Sequence, residues 1–212
     1  MAFLGKIAAS MTHEIKNTYA IIQESSGLLS DLLALQQEGS FPHKEKFQKV
    51  LGSIKEQVNR GVILATRLNQ FAHTMDEPLA TIKVADLLEL VVALMQRLVR
   101  RRSVELQAMA PDRDASFRSD PFRVQLVLAS VIEHLAEALE AGGKIILQTL
   151  PASQEVLILC ETQGQKKVGW EEIMANLLGF LKDILEALGA ELAVSPAAAQ
   201  EGVILTIKSP SA

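Results

Sequence analysis

Residues Met11 to Asn17 read M-T-H-E-I-K-N, setting an imidazole beside a carboxylate and, four positions after the histidine, an amide. On a helix His13 and Asn17 share a face, and Glu14 stands about 100° around, within reach of the same small substrate. Imidazole nitrogen is a nucleophile near neutral pH, and an adjacent carboxylate can orient the ring or accept its proton. Around this group Leu4, Ala8, Met11, Ile15, Thr18, Ile22, Ser25, Leu29 and Leu32 follow a 3–4 alternation, and His13 falls roughly opposite Met11 and Ile15. The pattern predicts a water-facing nucleophile on an amphipathic helix. The alternative is a solvated histidine on a charged helix surface.

A nucleophile on a helix needs elements to hold that helix. The helical pattern runs from Ala2 to about Gln37 and stops at Gly39-Ser40-Phe41-Pro42. A second helix is expected from about His43 to Met75, with the seam Phe47, Leu51, Ile54, Val58, Gly61, Ala65, Leu68 and Ala72. Two such helices make a hairpin that cannot bury all of its apolar surface alone, so two copies are expected to pair as a dimeric four-helix bundle. The alternative is a hairpin covered by the rest of the chain. Asp76-Glu77-Pro78 marks a hinge, dividing the chain into 1–76 and 77–212.

The second half alternates short strands and helices. Strands are expected near Ala80 to Lys83, Val104 to Ala108, Ala115 to Arg118, Lys144 to Thr149, Glu155 to Glu161, Glu191 to Val194 and Val203 to Lys208. Helices are expected from Val84 to about Arg101, from Pro121 to about Leu139 and from Trp170 to Leu188. Asp120 caps the middle one, with proline just inside, and Gly142-Gly143 ends it. The order implies an α+β protein whose second half is an α/β sandwich, its sheet covered on one face by helices.

Composition narrows the classes. Nearly half of the 212 residues are apolar but only 4% are aromatic, which favours Leu/Ala/Val-rich helices. With 21 basic and 25 acidic residues the net charge of −4 gives no pull toward nucleic acid or an anionic membrane. Arg100-Arg101-Arg102, the one basic cluster, falls where a helix should end, so the helix dipole explains it more simply than a binding patch. The single cysteine, Cys160, is expected to be buried in a strand and reduced. No stretch has the length and apolarity of a membrane span, and the start lacks a signal-peptide pattern, so a cytoplasmic protein is expected. His43 and His73 have no metal-ligand spacing and are expected to be exposed polar residues.

The stretch His13-Glu14-Ile15-Lys16-Asn17 resembles the H-box of bacterial two-component sensor histidine kinases, in which H-E-x-x-N is followed by proline. Thr18 stands in the proline's place, which predicts a straighter helix with its backbone hydrogen bond restored. The second half resembles the catalytic ATP-binding domain of the same family. Asp120-Pro121-Phe122-Arg123 and Glu137-Ala138 look like the two ends of its N-box helix, Gly179 to Val194 like the helix-turn-strand after its second glycine box, and Gly202 to Pro210 like its closing strand. The resemblance thus covers almost the whole chain.

Several positions depart from that pattern. The family's magnesium-binding asparagine falls on His134, and the asparagine one turn earlier on Ser130. A neutral imidazole is a poor ligand for a hard cation, so His134 is expected to be structural. The adenine-recognising D-x-G-x-G box falls on Glu161-Thr162-Gln163-Gly164-Gln165, and the second glycine box on Met174-Ala175-Asn176-Leu177-Leu178. Phosphate-binding loops need exposed amides and room for a polyanion, which these residues do not supply. The span from Thr162 to Gly169 is also short for a nucleotide lid.

The resemblance implies a histidine phosphotransferase, similar to dimeric bacterial phosphotransferases that keep the kinase architecture without ATP binding. His13 would carry the phosphoryl group, assisted by Glu14 and Asn17, with Tyr19, Ile21 and Glu24 in the partner-docking surface or merely covering the bundle. The expected partners are response-regulator receiver domains, which bring the magnesium, an upstream hybrid histidine kinase, and a second copy of the chain. No cofactor of its own, no nucleic acid and no membrane is expected. Two other readings stay open: a response-regulator phosphatase, in which Asn17 positions water, and a silent pseudokinase scaffold. Twelve residues precede His13, so control is expected from another molecule, unless the chain is a fragment of a longer sensor.

Overall fold

The computed structural model describes residues 2–35, 43–76, 78–110, 115–151, 155–196 and 201–208, and the side chains from Gly5 onward. The expected turn at Gly39 to Pro42, the hinge residue Glu77, the Leu4 side chain and Pro210 lie outside these. The chain divides into two compact units, Met1–Gln70 and Phe71–Ala212. The last turn of the second helix belongs to the second unit, where the Phe71 ring lies 6.2 Å from that of Phe122.

The first unit is a pair of long helices, α1 (Ala2–Ala34) and α2 (Lys44–His73). α1 runs unbroken through Thr18, as loss of the proline predicts, and the Thr18 hydroxyl donates to the Glu14 carbonyl at 3.0 Å. The predicted α1 seam holds at Met11, Thr18 and Leu32, which are buried, and at Ile15, Ile22, Ser25 and Leu29, which are half-buried, while Ala8 is exposed. The predicted α2 seam needs correction. Phe47, Ile54, Gly61 and Leu68 are on it, but their companions are Val50, Gln57, Leu64 and Phe71, whereas Leu51, Val58, Ala65 and Ala72 are exposed. Both frames follow a 3–4 alternation, so the apolar stripe of α2 is wider than one seam and only one flank is covered within the chain. The helices approach closely at Gly61, where a Cβ would meet the Thr18 methyl at 3.5 Å.

The second unit carries a five-stranded sheet in the order β2-β4-β5-β7-β6 and a separate β1-β3 ribbon. Its strands are β1 (Ala80–Lys83), β2 (Glu105–Ala108), β3 (Ser116–Ser119), β4 (Lys144–Leu150), β5 (Glu155–Gln163), β6 (Ala190–Val194) and β7 (Gly202–Lys208). β2 pairs with β4 in parallel; every other pairing is antiparallel. The helices are α3 (Val84–Arg100), α4 (Pro121–Ala138) and α5 (Trp170–Leu188). α3 turns Leu87, Leu88, Val91, Leu94, Met95 and Val99 inward at helical spacing, and α5 does the same with Ile173, Leu177, Leu181 and Leu185. The arginines stand at the end of α3, as the dipole reading expects, and Arg102 also pairs with Glu137.

α4 is the middle of this unit. It packs against α3, α5, β4 and β5, and twelve of its residues are buried, while Arg123 and Glu137 are exposed. Its start is fixed by the predicted cap, with Arg123 N donating to Asp120 Oδ1 at 2.9 Å and Pro121 in the first turn. Cys160 is buried in β5, and desolvation pushes its thiol up to about 12, so it is protonated and unreactive at neutral pH. His43 is half-buried rather than exposed, while exposed His73 pairs with Asp76 at 2.7 Å.

Two backbone positions give a contrasting stability test. A Cβ on Gly202 would lie 2.3 Å from the Cys160 carbonyl oxygen, so Gly202→Ala must push β7 from β5. A loss of roughly 1–3 kcal/mol or more is expected in urea unfolding. Ser103 follows α3 with φ of 57°, where a side chain is disfavoured, so Ser103→Gly should stabilise by up to about 1 kcal/mol.

Candidate functional site

On α1 the helical period puts His13, Asn17, Ile21 and Glu24 on one face, and all four are exposed. Tyr19, 64% exposed, lies about 120° around from His13 by the same period, so it does not join that face. Glu14 is on the flank between His13 and α2. Its carboxylate, 23% exposed, has Arg60 of α2 at 3.9 Å, an ion pair beyond hydrogen-bond length. Arg60 has no motif to announce it. It follows from the hairpin register, in which Gly61, its neighbour, lets α2 approach Thr18.

In the sandwich, the positions aligned with nucleotide-binding residues are joined to their own chain. Ser130 is buried and its hydroxyl donates to the Leu126 carbonyl at 2.8 Å; His134 Nδ1–H donates to the Ser130 carbonyl at 2.8 Å. His134 thus ties its ring to its own helix, the structural role expected of it. Both oxygens of the buried Glu161 carboxylate are taken, Oε2 by Gln148 Nε2 at 2.7 Å and Oε1 by Gln163 Nε2 at 2.9 Å. Gln163 is one of the replacements in the adenine box. Gln148, directed from β4, has no counterpart in any motif of the sequence.

The loop after β5 is stitched to the end of α4. Leu139 bridges Lys166, Glu140 N donates to the Gln165 carbonyl at 2.9 Å, and Lys167 N donates to the Ala138 carbonyl at 2.7 Å. Gly164, at φ of +118°, presses to within 3.1 Å of Gly143 by the measure of an added Cβ, so a larger residue would part the two turns. On the other side Thr162 donates through both N and Oγ1 to the Glu201 carbonyl, at 2.7 and 3.1 Å. Lys166 pairs with Glu201 and stands 4.9 Å from the Trp170 ring centre. That hydrogen bond and the ammonium charge hold the Glu201 carboxyl below its ordinary value. α5 then starts directly at Trp170.

A cavity of about 440 Å³ lies elsewhere in this unit, lined by Leu79, Arg118, Ser119, Asp120, Arg123, Leu188 and Lys208 among others, and not by Ser130, His134 or residues 161–165. Among the described residues no group of three or more histidine, cysteine or acidic side chains is placed to hold a metal.

The Glu161 cluster is testable. Gln148→Leu removes one amide donor from a buried carboxylate and should cost about 1–3 kcal/mol in chemical unfolding. Gln148→Glu should cost more by setting two carboxylates together.

No protein-family model matches the chain. Among curated proteins it is similar to the alginate biosynthesis sensor protein KinB of Pseudomonas aeruginosa, 24% identical over 203 residues. That match takes in 86% of this chain and 33% of KinB, so the chain spans about a third of the length of that relative. Among solved structures, Acinetobacter baumannii histidine kinase AdeS is 16% identical with a TM-score of 0.50, covering 94% of this chain and 98% of that one. Histidine kinase ThkA, solved in complex with the response regulator protein TrrA, is 17% identical with a TM-score of 0.51, covering 99% of this chain and 63% of that one. Among the described residues no helix is long and apolar enough to cross a membrane. In fold the chain is histidine kinase-like, a hairpin of two long helices followed by the α/β sandwich of a kinase catalytic domain.

Proposed function

We propose that this protein is a histidine phosphotransferase, which takes a phosphoryl group from the aspartate of one receiver domain onto His13 and gives it to another without ATP. The observation that carries the reading is an exposed His13 and Asn17, with half-buried Glu14, on an unbroken helix joined to a kinase-like sandwich whose nucleotide positions are filled by bonds of its own. ATP with magnesium does not fit those residues. The metal position is an imidazole bonded to backbone, the adenine acid is saturated by two amides, and the loop that would open around a nucleotide is zipped to α4.

Transfer between two aspartates needs no nucleotide, because acyl phosphate and phosphohistidine are both high-energy. The unprotonated ring nitrogen of His13 forms the N–P bond as the P–O bond to the receiver aspartate breaks, and the electron pair leaves with that carboxylate. Glu14 is adjacent to accept a ring proton, and the receiver brings magnesium and in-line geometry. A response regulator as partner is supported by the ThkA complex, a protein of like fold. Tyr19, Ile21 and Glu24, all exposed, are the proposed docking residues, of which Ile21 and Glu24 share the His13 face; a hybrid histidine kinase is the proposed upstream donor.

A second reading, a response-regulator phosphatase, is favoured by Asn17, which shares the His13 face and is exposed. Substitution separates the two. His13→Ala should abolish phosphate acceptance from a phosphorylated receiver and onward transfer, while Asn17→Ala should spare transfer. Slower receiver dephosphorylation in Asn17→Ala, with transfer absent in the unaltered protein, would establish the phosphatase instead. Calorimetry with ATP and magnesium should give no heat, and saturable micromolar binding would defeat the nucleotide-free reading.

The reading includes a homodimer through the hairpin. Its support is the set of apolar side chains Leu28 and Leu35 on α1, seven apart, and Leu51, Val58 and Val62 on α2, all exposed in the single chain. Covering such a side chain stabilises by about 1.5–3 kcal/mol. Val58→Glu leaves the single chain's packing intact but puts an unpaired charge in the paired bundle, so it should shift the mass by light scattering from dimer to monomer. A monomeric unaltered protein would contradict this part of the reading.

A further inference from the structure

Glu14 presents an electrostatic problem at the proposed phosphotransfer site. A carboxylate beside His13 suits a base that takes a ring proton, but its charge repels the phosphoryl group that must approach the same ring. The hairpin sets a cation against it. Arg60 of α2 is 3.9 Å from the Glu14 carboxylate, and its side chain is 57% exposed, so the guanidinium borders both the acid and the surrounding water. The approach is built into the backbone, since the next residue is Gly61, where a Cβ would already meet Thr18 at 3.5 Å. At this exposure the ion pair contributes little to folding. Its effect falls on what approaches His13.

We infer that Arg60 is a positioning residue for phosphoryl transfer: it holds the Glu14 carboxylate on the flank of His13 and offsets the negative charge that the acid would turn toward the incoming phosphoryl group. This rests on the proposed role of His13 and adds to it a residue from the second helix. The arginine takes no part in bond changes. The His13 nitrogen still forms the N–P bond, the leaving group departs with its electron pair, and the ring proton goes to Glu14 or water.

The test uses the whole protein and phosphoramidate, a small phosphoryl donor that labels histidine without a receiver domain and releases ammonia. Arg60→Ala should label His13 about tenfold more slowly than the unaltered protein with the same thermal midpoint, and Arg60→Lys should recover most of the rate. In a Glu14→Gln background, where the charge to be offset is gone, Arg60→Ala should change the rate less than twofold. Equal labelling of the unaltered protein and Arg60→Ala would overturn the inference while leaving His13 as carrier. So would a tenfold deficit that persists undiminished with Glu14→Gln. If the unaltered protein is not labelled at His13 at all, the carrier reading falls first and this inference falls with it.

Discussion

The burial of twelve of the residues of α4 is the constraint from which the character of the second unit follows. A helix that must bind a nucleotide keeps one face for metal and phosphate, and that face cannot be spent on packing. Here Val127, Leu128, Val131, Ile132 and Leu135 fill the interior, Ser130 and His134 satisfy their polar atoms on the helix itself, and the helix end is bridged to the loop after β5. Each bond removes a polar group that would otherwise stand unpaired or seek a ligand. The Glu161 cluster works in the same sense, since a buried carboxylate needs donors and two glutamines supply them. The kinase-like layout forms a folded body in which Ser130, His134 and Glu161 are bonded to their own chain.

The hairpin meets the opposite demand. The chemistry proposed for it requires exposure, and the face bearing His13 and Asn17 is exposed while Met11, Thr18 and Leu32 hold the other side of α1. The helices need one point of close contact to fix their register, and Thr18 with Gly61 supplies it. Threonine serves two purposes there. Its methyl packs on α2, and its hydroxyl returns to the Glu14 carbonyl one turn back, anchoring the turn that carries His13 and Glu14. A proline at this position would offer neither bond and would bend the helix between the histidine and the rest of its face.

Element order was legible in the sequence because each element carries local signals: Asp120-Pro121 opens α4, Gly142-Gly143 follows it, and Trp170 to Leu188 keeps a helical period throughout. The α2 seam was only half legible. Leu51 and Val50, or Val58 and Gln57, offer similar alternations, and periodicity cannot say which flank of a wide stripe the partner helix covers; tertiary contact chose the flank that includes Gln57. Of the residues around His13, Asn17 and Ile21 follow from the helical period, which sets Tyr19 about 120° from the histidine. Arg60 and Gln148 were illegible for one shared reason. Each acts on a residue in another element, Arg60 across the hairpin and Gln148 across the β4–β5 pairing, and no local pattern encodes such a register.

The two units therefore differ in what their polar groups are for. In the sandwich, the buried acid Glu161 is satisfied by two amides, which makes this cluster a contributor to the fold. In the hairpin, histidine and amide are exposed, and the half-buried acid between them has a loose ion pair from α2. Exposed polar groups gain nothing for folding by being arranged on one helix face, because water would satisfy them in any order. On the proposed reading the arrangement serves a receiver's phosphoryl group, already activated and already carrying its metal, which asks of this chain a nucleophile held in place.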